Sequence, residues 1–225
     1  MKKLKIYILA TIAIPMFIMT GCELAGLDLQ KPYEYDKNAG IISNELNKTV
    51  LDFLYSRTDA FGLMIEGIEY AELSGMYNEK NSTYIVLTDQ AINSYFALHP
   101  VQNPLYNPAD PTTGGPLTVP ISLEQYSKEA VTEFLLYHIV KGEYTWSNLP
   151  PVKTWYDTYA SADTAKVNLY LMKNDRSPTI GFNDFPTHYV TGLKARTTNL
   201  KSSSGSYVHV LDSWLNYPTR AALED

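Results

Sequence analysis

The sequence predicts an α+β domain, in which helices dominate the first half and strands the second. Apolar side chains recur at helical spacing at several places before residue 140, whereas alternating and β-branched runs dominate after residue 166. The chain of 225 residues contains 45% hydrophobic and 19% charged residues. This composition is typical of a globular protein and excludes a largely disordered chain.

Three helices and one strand are predicted in the first part of the domain. The first helix starts at Ser43 and the second at Thr58. Their apolar faces are Leu46, Val50, Phe53 and Leu54, and Phe61, Met64, Ile65 and Ile68. Residues 82–87 are rich in β-branched and aromatic side chains, which is typical of a buried strand. Thr88 and Asp89 then supply capping side chains for a short third helix.

The second part of the domain begins with a loop and continues into strands. Residues 99–121 contain six prolines and two adjacent glycines, which favour a long loop without regular structure. The strongest helical pattern covers residues 122–140, with Ser122 or Ser127 as its cap and Gly142 as its stop. Strands are predicted at 167–172 (half-buried), 179–182, 189–197 and 207–211, with turns at 174–175 and 202–205.

The N-terminus resembles the signal peptide of a bacterial lipoprotein. Three lysines precede an uncharged stretch, Ile6 to Thr20, which is short for a membrane-spanning helix. The stretch leads into Gly21 and Cys22, the one cysteine of the chain, with Met19 where a lipobox usually has Leu. The alternative is an ordinary signal peptide with a chance cysteine. The predicted organisation is a lipoprotein signal peptide at 1–21, a tether at 22–42, a folded domain at 43–218 and a tail at 219–225, with Cys22 lipidated.

Charge and cysteine content exclude several classes of protein. Removal of residues 1–21, which contain three lysines and no acidic residue, takes the formal net charge from −6 to −9. An acidic domain of this kind argues against nucleic-acid binding. A single cysteine excludes a disulfide framework, and the four histidines show no close ligand spacing. We therefore expect neither a metal site nor a cofactor.

Three segments resemble, in order and spacing, motifs of the fasciclin (FAS1) domain. They are TYIVLTDQAI at 83–92, FLLYHIVKGEY at 134–144 and GSYVHVLD at 205–212. The resemblance implies a wedge-shaped β-sandwich flanked by several helices over residues 43–218. With the N-terminal signal, the chain resembles a fasciclin-domain lipoprotein of the Bacteroidetes type. The family implies an extracellular or cell-surface module for adhesion or glycan contact, and most of its members are not enzymes.

Tyr137 and His138 match the Tyr-His pair that the family implicates in adhesion. His138 also lies on the apolar face of its predicted helix, so the sequence favours a buried histidine whose ring nitrogens bond to the backbone. His209 is interpreted in the same way, as structural rather than metal-binding. Asp89 directly follows a strand, which favours a helix cap over a catalytic carboxylate.

Five large aromatic side chains fall within sixteen residues of the segment 144–161. They are Tyr144, Trp146, Trp155, Tyr156 and Tyr159. Exposed aromatic faces stack on sugar rings or anchor protein partners, so this segment is the candidate ligand-contact region. The alternative is that these side chains cover the core.

Three functions remain open at this point. The first is a non-enzymatic cell-surface module that binds a glycan or a protein partner and is held on a membrane by its lipid anchor. The second is an accessory glycan-capture lipoprotein of a polysaccharide-uptake system. The third is a hydrolase, which no nucleophile elbow or paired-carboxylate spacing supports. The predicted location is the cell envelope, as an outer-membrane lipoprotein facing the periplasm or the exterior.

Overall fold

The structure, a computed structural model, describes residues 23–24, 27–28, 44–102, 109, 115, 117–173 and 178–224. The chain divides into two compact units, residues 1–43 and 44–225. In the first unit, the strands β1 (Glu23–Leu24) and β2 (Leu27–Asp28) form an antiparallel pair within the predicted tether. The predicted signal peptide, Cys22 and the predicted turn at 174–175 lie outside the described residues.

The second unit is an α+β domain with two four-stranded sheets. Its described helices are α1 (Val50–Tyr55), α2 (Thr58–Tyr70), α3 (Asp89–Leu98), α4 (Lys128–Tyr137) and α5 (Arg220–Glu224). Its described strands are β3 (Ser82–Leu87), β4 (Val101–Gln102), β5 (Leu117–Thr118), β6 (Ile139–Lys141), β7 (Thr154–Asp157), β8 (Lys166–Met172), β9 (Thr179–Phe182), β10 (Leu193–Lys194), β11 (Thr197–Lys201) and β12 (Tyr207–Leu211). The predicted fold class is confirmed.

Helix α1 begins later than the sequence predicted. The Thr49 side chain caps it by accepting a hydrogen bond from the Asp52 backbone N–H. Leu46 lies ahead of the helix, because its backbone N–H donates to the Lys201 carbonyl at 2.8 Å and so extends the edge of a sheet. The predicted start at Ser43 is therefore wrong. The residues just before Val50 pair with a distant strand, although their local apolar spacing is typical of a helix.

Helix α2 buries the whole predicted stripe, and a distant carboxylate supports it where it kinks. The backbone of Phe61 is non-helical, with φ −129° and ψ 19°. Just beyond the kink, the Leu63 N–H donates to the Asp89 carboxylate at 2.9 Å. Thr88 caps α3 through the Ala91 N–H. Asp89 thus serves as a cap, but for α2 instead of its own helix.

The predicted helix at 122–140 is three elements. A short 3-10 helix, Leu123–Gln125, is capped by Ser122, and α4 is capped by Ser127, so both predicted caps are used. His138 is the C-cap of α4, and the β-branched residues after it form β6. Gly142, with φ +109°, follows this strand and does not end the helix. The prediction of one helix as far as residue 140 is wrong, because the residues of β6 form hydrogen bonds with β3 that they could not form within a helix.

The predicted loop at 99–121 contains a two-stranded ribbon. The strands β4 and β5 pair antiparallel, with Val101 opposite Thr118 and Gln102 opposite Leu117. The paired positions contain no proline, so their backbone N–H groups remain available. The prediction of a loop without regular structure is therefore wrong for the two ends of this segment.

The first four-stranded sheet has the strand order β11–β12–β3–β6. Strands β3 and β12 are parallel, with Ile85 opposite His209, and the other two pairs are antiparallel. All six residues of β3 are buried. The residues 202–205 form the predicted turn between β11 and β12, in which Gly205 has φ +96°.

The second four-stranded sheet has the order β10–β9–β8–β7, antiparallel throughout. The predicted strand at 189–197 splits, because β10 pairs with β9 in this sheet whereas β11 pairs with β12 in the other. Strand β8 was predicted to be half-buried, but Asn168 is 3% exposed and Val167 and Leu169 are fully buried. On its polar face, the buried Asn168 lines a cavity together with Phe185 and Ala222.

Candidate functional site

An aromatic cleft lies beside the Tyr-His pair of the sequence. It has a volume of about 290 Å³ and is formed by α3, α4 and the C-terminal segment 214–217. Its lining residues are Tyr95, His99, Ala130, Glu133, Phe134, Tyr137, Trp214, Leu215, Asn216 and Tyr217. We call it the aromatic cleft. Aromatic walls with a few polar groups are the usual composition of a small-ligand site.

Stacked rings build the walls of the aromatic cleft. Tyr95 lies between Phe134 and Trp214, with ring centroids 4.5 and 6.0 Å away, and stacks on His99 at 4.2 Å. Trp214 is 3% exposed, and its indole N–H donates to the Asn216 side chain at 2.7 Å. These contacts hold the Trp214 ring in one orientation. The wall is therefore rigid before any ligand arrives, which lowers the entropy lost on binding.

Tyr189 adds an exposed ring at the rim of the aromatic cleft. Its ring stacks on Trp214 with centroids 5.4 Å apart and an interplanar angle of 20°. The side chain is 61% exposed, so its outer face is open to solvent. One face of the Tyr189 ring packs on the buried Trp214 ring, and its other face is exposed. Sugar rings and the side chains of protein partners pack on exposed aromatic faces of this kind.

Polar groups of the cleft come from α4 and from the tyrosines. The Glu133 carboxylate is half-buried and accepts a hydrogen bond from the Ser161 backbone N–H at 2.9 Å. The Tyr217 hydroxyl donates to the Glu133 carbonyl at 3.3 Å, and its ring stacks on Tyr137 at 4.1 Å. Burial raises the pKa of Tyr217 to about 12, so the phenol stays neutral at physiological pH.

Tyr137 supports the cleft from below. It is 1% exposed, and its hydroxyl donates to the Asn216 carbonyl at 2.8 Å while accepting from the Asn183 side chain at 3.0 Å. Burial raises the pKa of the Tyr137 phenol far above its usual range. Tyr137 lines the cleft, and its hydroxyl also contacts the Lys166 carbonyl at 3.0 Å, so it joins the C-terminal segment to β8.

His138 is fully buried and pairs with backbone on both sides of its ring. The Nδ1 N–H donates to the Phe134 carbonyl at 2.8 Å, and Nε2 accepts from the Leu215 N–H at 3.0 Å. Desolvation lowers the pKa of His138 to about 4, so the ring is neutral. The interpretation of His138 as a buried, backbone-bonded histidine agrees with this geometry.

A second histidine holds the same C-terminal segment. The His188 Nε2 accepts from the Asn216 N–H at 3.2 Å, and its Nδ1 N–H donates to the Val190 carbonyl at 2.7 Å. Burial also lowers the pKa of His188. Two neutral imidazoles, His138 and His188, therefore accept hydrogen bonds from consecutive residues of the cleft wall.

The five aromatic residues of the segment 144–161 lie in four places. Tyr144 and Tyr156 pack together with ring centroids 4.1 Å apart, and the Lys141 ammonium lies 5.4 Å from the Tyr159 ring. The other two, the tryptophans, line separate cavities. None of the five lines the aromatic cleft. The structure thus does not bring the predicted contact residues together into one surface.

His209 joins this segment to the first sheet. Its Nε2 N–H donates to the Tyr144 carbonyl at 2.9 Å, and Nδ1 accepts from the Asn199 N–H at 3.2 Å. The ring is fully buried, and desolvation lowers the pKa of His209 to about 4. The structural interpretation of His209 agrees with these contacts. Within the described residues, no cluster of histidine, cysteine and acidic side chains could hold a metal ion.

Sequence reasoning missed most residues of the aromatic cleft. Tyr95 and His99 are four residues apart at the end of α3, and Trp214 and Tyr217 follow the closing strand. The spacing of the first pair on one helix face was the one available signal. Tyr189 had been placed in a strand, where nothing suggested that it would meet Trp214.

Comparison with known proteins supports the fold. No protein-family model and no curated protein matches the chain. Among solved structures, a FAS1 domain pair from the insect cell adhesion molecule fasciclin I matches with a TM-score of 0.50 and 14% identity, over 75% of this chain and 51% of that chain. This chain has a FAS1-like fold. It spans about half the length of the fasciclin I structure, and at this identity the likeness establishes the fold alone.

The three segments that resemble fasciclin motifs meet in one sheet of this FAS1-like domain. The first is β3 leading into α3, the second runs from α4 through β6, and the third contains β12. Because β3 lies between β12 and β6, the motifs supply three adjacent strands of the four-stranded sheet. In the part of the chain that the structure describes, no helix combines the length and the hydropathy needed to cross a membrane.

Proposed function

We propose that this chain is a non-enzymatic surface module that binds an extracellular ligand through the aromatic cleft. In this proposal it is a fasciclin-domain lipoprotein of the Bacteroidetes type, anchored by lipidated Cys22 in the outer membrane. The observation that carries the binding role is the exposed Tyr189 ring, held against the buried Trp214 at the cleft rim. The matching fasciclin I structure is that of a cell adhesion molecule, with which a binding role is compatible.

The chemistry of the cleft supports binding over hydrolysis. Among the described residues that line the cleft, Glu133 supplies the one carboxylate, and its Oε2 already accepts from the Ser161 N–H. Glycoside hydrolysis generally requires two carboxyl groups that flank the scissile bond. Aromatic faces with a few fixed acceptors bind a ligand without reacting with it.

A glycan-capture role is the second candidate. It is favoured by the parallel arrangement of Tyr189 and Trp214, because the apolar face of a sugar ring packs on a flat aromatic surface. The net charge of −9 after removal of residues 1–21 disfavours anionic glycans, so neutral glycans are expected. A protein partner would use the same surface as an aromatic anchor.

We expect Tyr189→Ala to weaken ligand binding about tenfold, which corresponds to about 1.4 kcal/mol. Stability should change by no more than about 0.5 kcal/mol, because the side chain is 61% exposed. The measurement is binding to an array of neutral and acidic glycans. Tyr55→Ala is the matched control, since Tyr55 is 44% exposed and does not line the cleft. Equal binding by both variants would contradict the cleft as the contact site.

The lipid anchor has its own test. Cys22→Ser is expected to move the mature protein from the membrane fraction to the soluble fraction, because a serine hydroxyl does not receive the thioether-linked lipid. Cell fractionation and immunoblotting measure this. Met19→Leu, which restores the usual lipobox residue, should keep the protein in the membrane fraction. A Cys22→Ser variant that stays membrane-bound, together with a wild-type chain that is not processed, would contradict an anchor at this cysteine.

A further inference from the structure

Each of the three tryptophans of the chain lines a different cavity. Trp214 lines the aromatic cleft, and Trp146 lines a shallow polar depression. Trp155 lines a third cavity of about 240 Å³, which we call the Trp155 cavity. Its lining residues are Lys153, Trp155, Asn168, Asp184, Phe185, Pro186 and Ala222. It shares no lining residue with the aromatic cleft.

The sheet places an aromatic ring and an amide side by side in the Trp155 cavity. Trp155 on β7 and Asn168 on β8 are directly opposite each other, so their side chains point to the same face of the sheet. Phe185 packs against the indole, with ring centroids 5.5 Å apart at 44°. The indole is thus fixed on one side and half-exposed on the other.

Asn168 has a buried hydrogen-bond acceptor that is left without a partner. The residue is 3% exposed, and within the described residues its Oδ1 receives no hydrogen bond. Its backbone is satisfied, since the N–H donates to the Asn183 side chain and the carbonyl accepts from the Asn183 N–H, both at 2.9 Å. An unpaired acceptor in the interior is unfavourable, so the Asn168 amide, which lines the cavity, gains when it bonds a polar ligand there.

The mouth of the cavity has both a donor and an acceptor, with no net charge. The Lys153 ammonium lies 3.1 Å from the Asp184 carboxylate, and the two side chains are 50% and 31% exposed. The Tyr170 hydroxyl also donates to Asp184, at 3.1 Å, which fixes the carboxylate. A neutral pair of this kind can bind hydroxyl groups as donors or as acceptors, and favours neither anions nor cations.

We propose that the Trp155 cavity binds one ring of a neutral sugar. The indole packs on the apolar C–H face of the ring, the Asn168 amide hydrogen-bonds a hydroxyl, and Lys153 with Asp184 binds the hydroxyls at the mouth. The cavity is too small for a folded partner, and its polar groups lie around one aromatic face, which suits a flat polyol. This site is independent of the aromatic cleft and of the function proposed for it.

The three tryptophans provide a direct test. A ¹H–¹⁵N spectrum of the mature domain should contain three indole N–H signals, assigned by Trp→Phe variants. The probes are the methyl glycosides of glucose, galactose, mannose and N-acetylglucosamine, with glucuronate as the anionic control. We expect at least one neutral glycoside to shift the Trp155 signal saturably, whereas the Trp146 signal stays in place and glucuronate shifts neither.

Asn168→Leu tests the role of the buried amide. Leucine has the branched shape of asparagine, a larger volume and no polar atom. The gain from removing the unpaired acceptor therefore opposes the strain of the added volume, and we expect the variant to remain folded. The glycoside-induced shift of Trp155 should be lost, or require about tenfold more sugar. Thermal unfolding verifies that the variant folds.

The outcomes separate this site from the aromatic cleft. A saturable shift of Trp155 that Asn168→Leu removes supports the sugar site, whatever happens at Trp214. A shift of the Trp214 signal alone would support ligand binding at the aromatic cleft and would contradict the Trp155 site. The proposal also fails if no neutral glycoside moves the Trp155 signal, if glucuronate moves it equally, or if the shift survives in Asn168→Leu.

Discussion

Acidification from pH 6.5 to pH 4 is expected to lower the free energy of unfolding by about 3 kcal/mol for each of His138 and His209. Both rings are fully buried and neutral, with a pKa of about 4 in the folded state against 6.5 for a free histidine. Between these values the unfolded chain binds protons that the folded chain does not. Stability is therefore complete above pH 6.5, declines as the pH falls, and has lost both contributions below pH 4.

Denaturant unfolding at a series of pH values measures this effect. Carboxylates titrate near the lower end of the same range. The histidine contribution is therefore obtained as the difference in the pH slope of the unfolding free energy between the wild type and a variant without that histidine. His138→Gln keeps an acceptor for the Leu215 N–H and cannot titrate, so it should reduce the pH slope by about one proton. An identical slope in the wild type and in His138→Gln would contradict the prediction.

The acid effect should extend to the aromatic cleft. His138 and His188 each accept a hydrogen bond from the cleft wall, at Leu215 and Asn216. Protonation converts each acceptor into a donor that faces another donor, so the wall loses both supports. Ligand binding through the cleft should therefore weaken over the same pH range as stability.

Trp214→Ala is expected to destabilise the domain by about 3–5 kcal/mol. The side chain is 3% exposed, and its ring contacts Tyr95, His99 and Tyr189 while its N–H donates to Asn216. Its removal leaves a cavity between α3 and the C-terminal segment and an unpaired Asn216 amide oxygen. Both costs add to the lost burial of the indole.

Trp146→Ala is the matched control, with a smaller expected loss of about 1–2 kcal/mol. Trp146 is 37% exposed and lies at a polar depression. The measurement is the free energy of unfolding of both variants at neutral pH. Equal losses of unfolding free energy in the two variants would mean that the C-terminal segment contributes little to the core. They would also contradict a rigid wall of the aromatic cleft.

Local sequence signals predicted much of the fold because some elements depend mainly on nearby residues. The stripe of α2 and the six buried residues of β3 follow from periodicity and β-branching. Ser122, Ser127 and Thr88 all cap helices, because a hydroxyl two or three residues ahead of a free N–H needs no distant partner. The fasciclin resemblance predicted a β-sandwich flanked by several helices, and the solved FAS1 structure supports a FAS1-like fold.

The tertiary structure alone decided which residues share a site. The aromatic cleft joins Tyr95, Phe134 and Trp214, residues that lie up to 119 positions apart, and Tyr189 stacks on Trp214 beside it. Distant strands also decided the strand boundaries. Residues 139–141 form a strand instead of the end of the predicted helix, and residues 193–201 belong to two sheets, because each segment forms hydrogen bonds with a distant strand. Periodicity reports which side of an element is apolar, but not which partner covers it. That choice depends on contacts between segments far apart in the chain, and these form only when the whole domain packs.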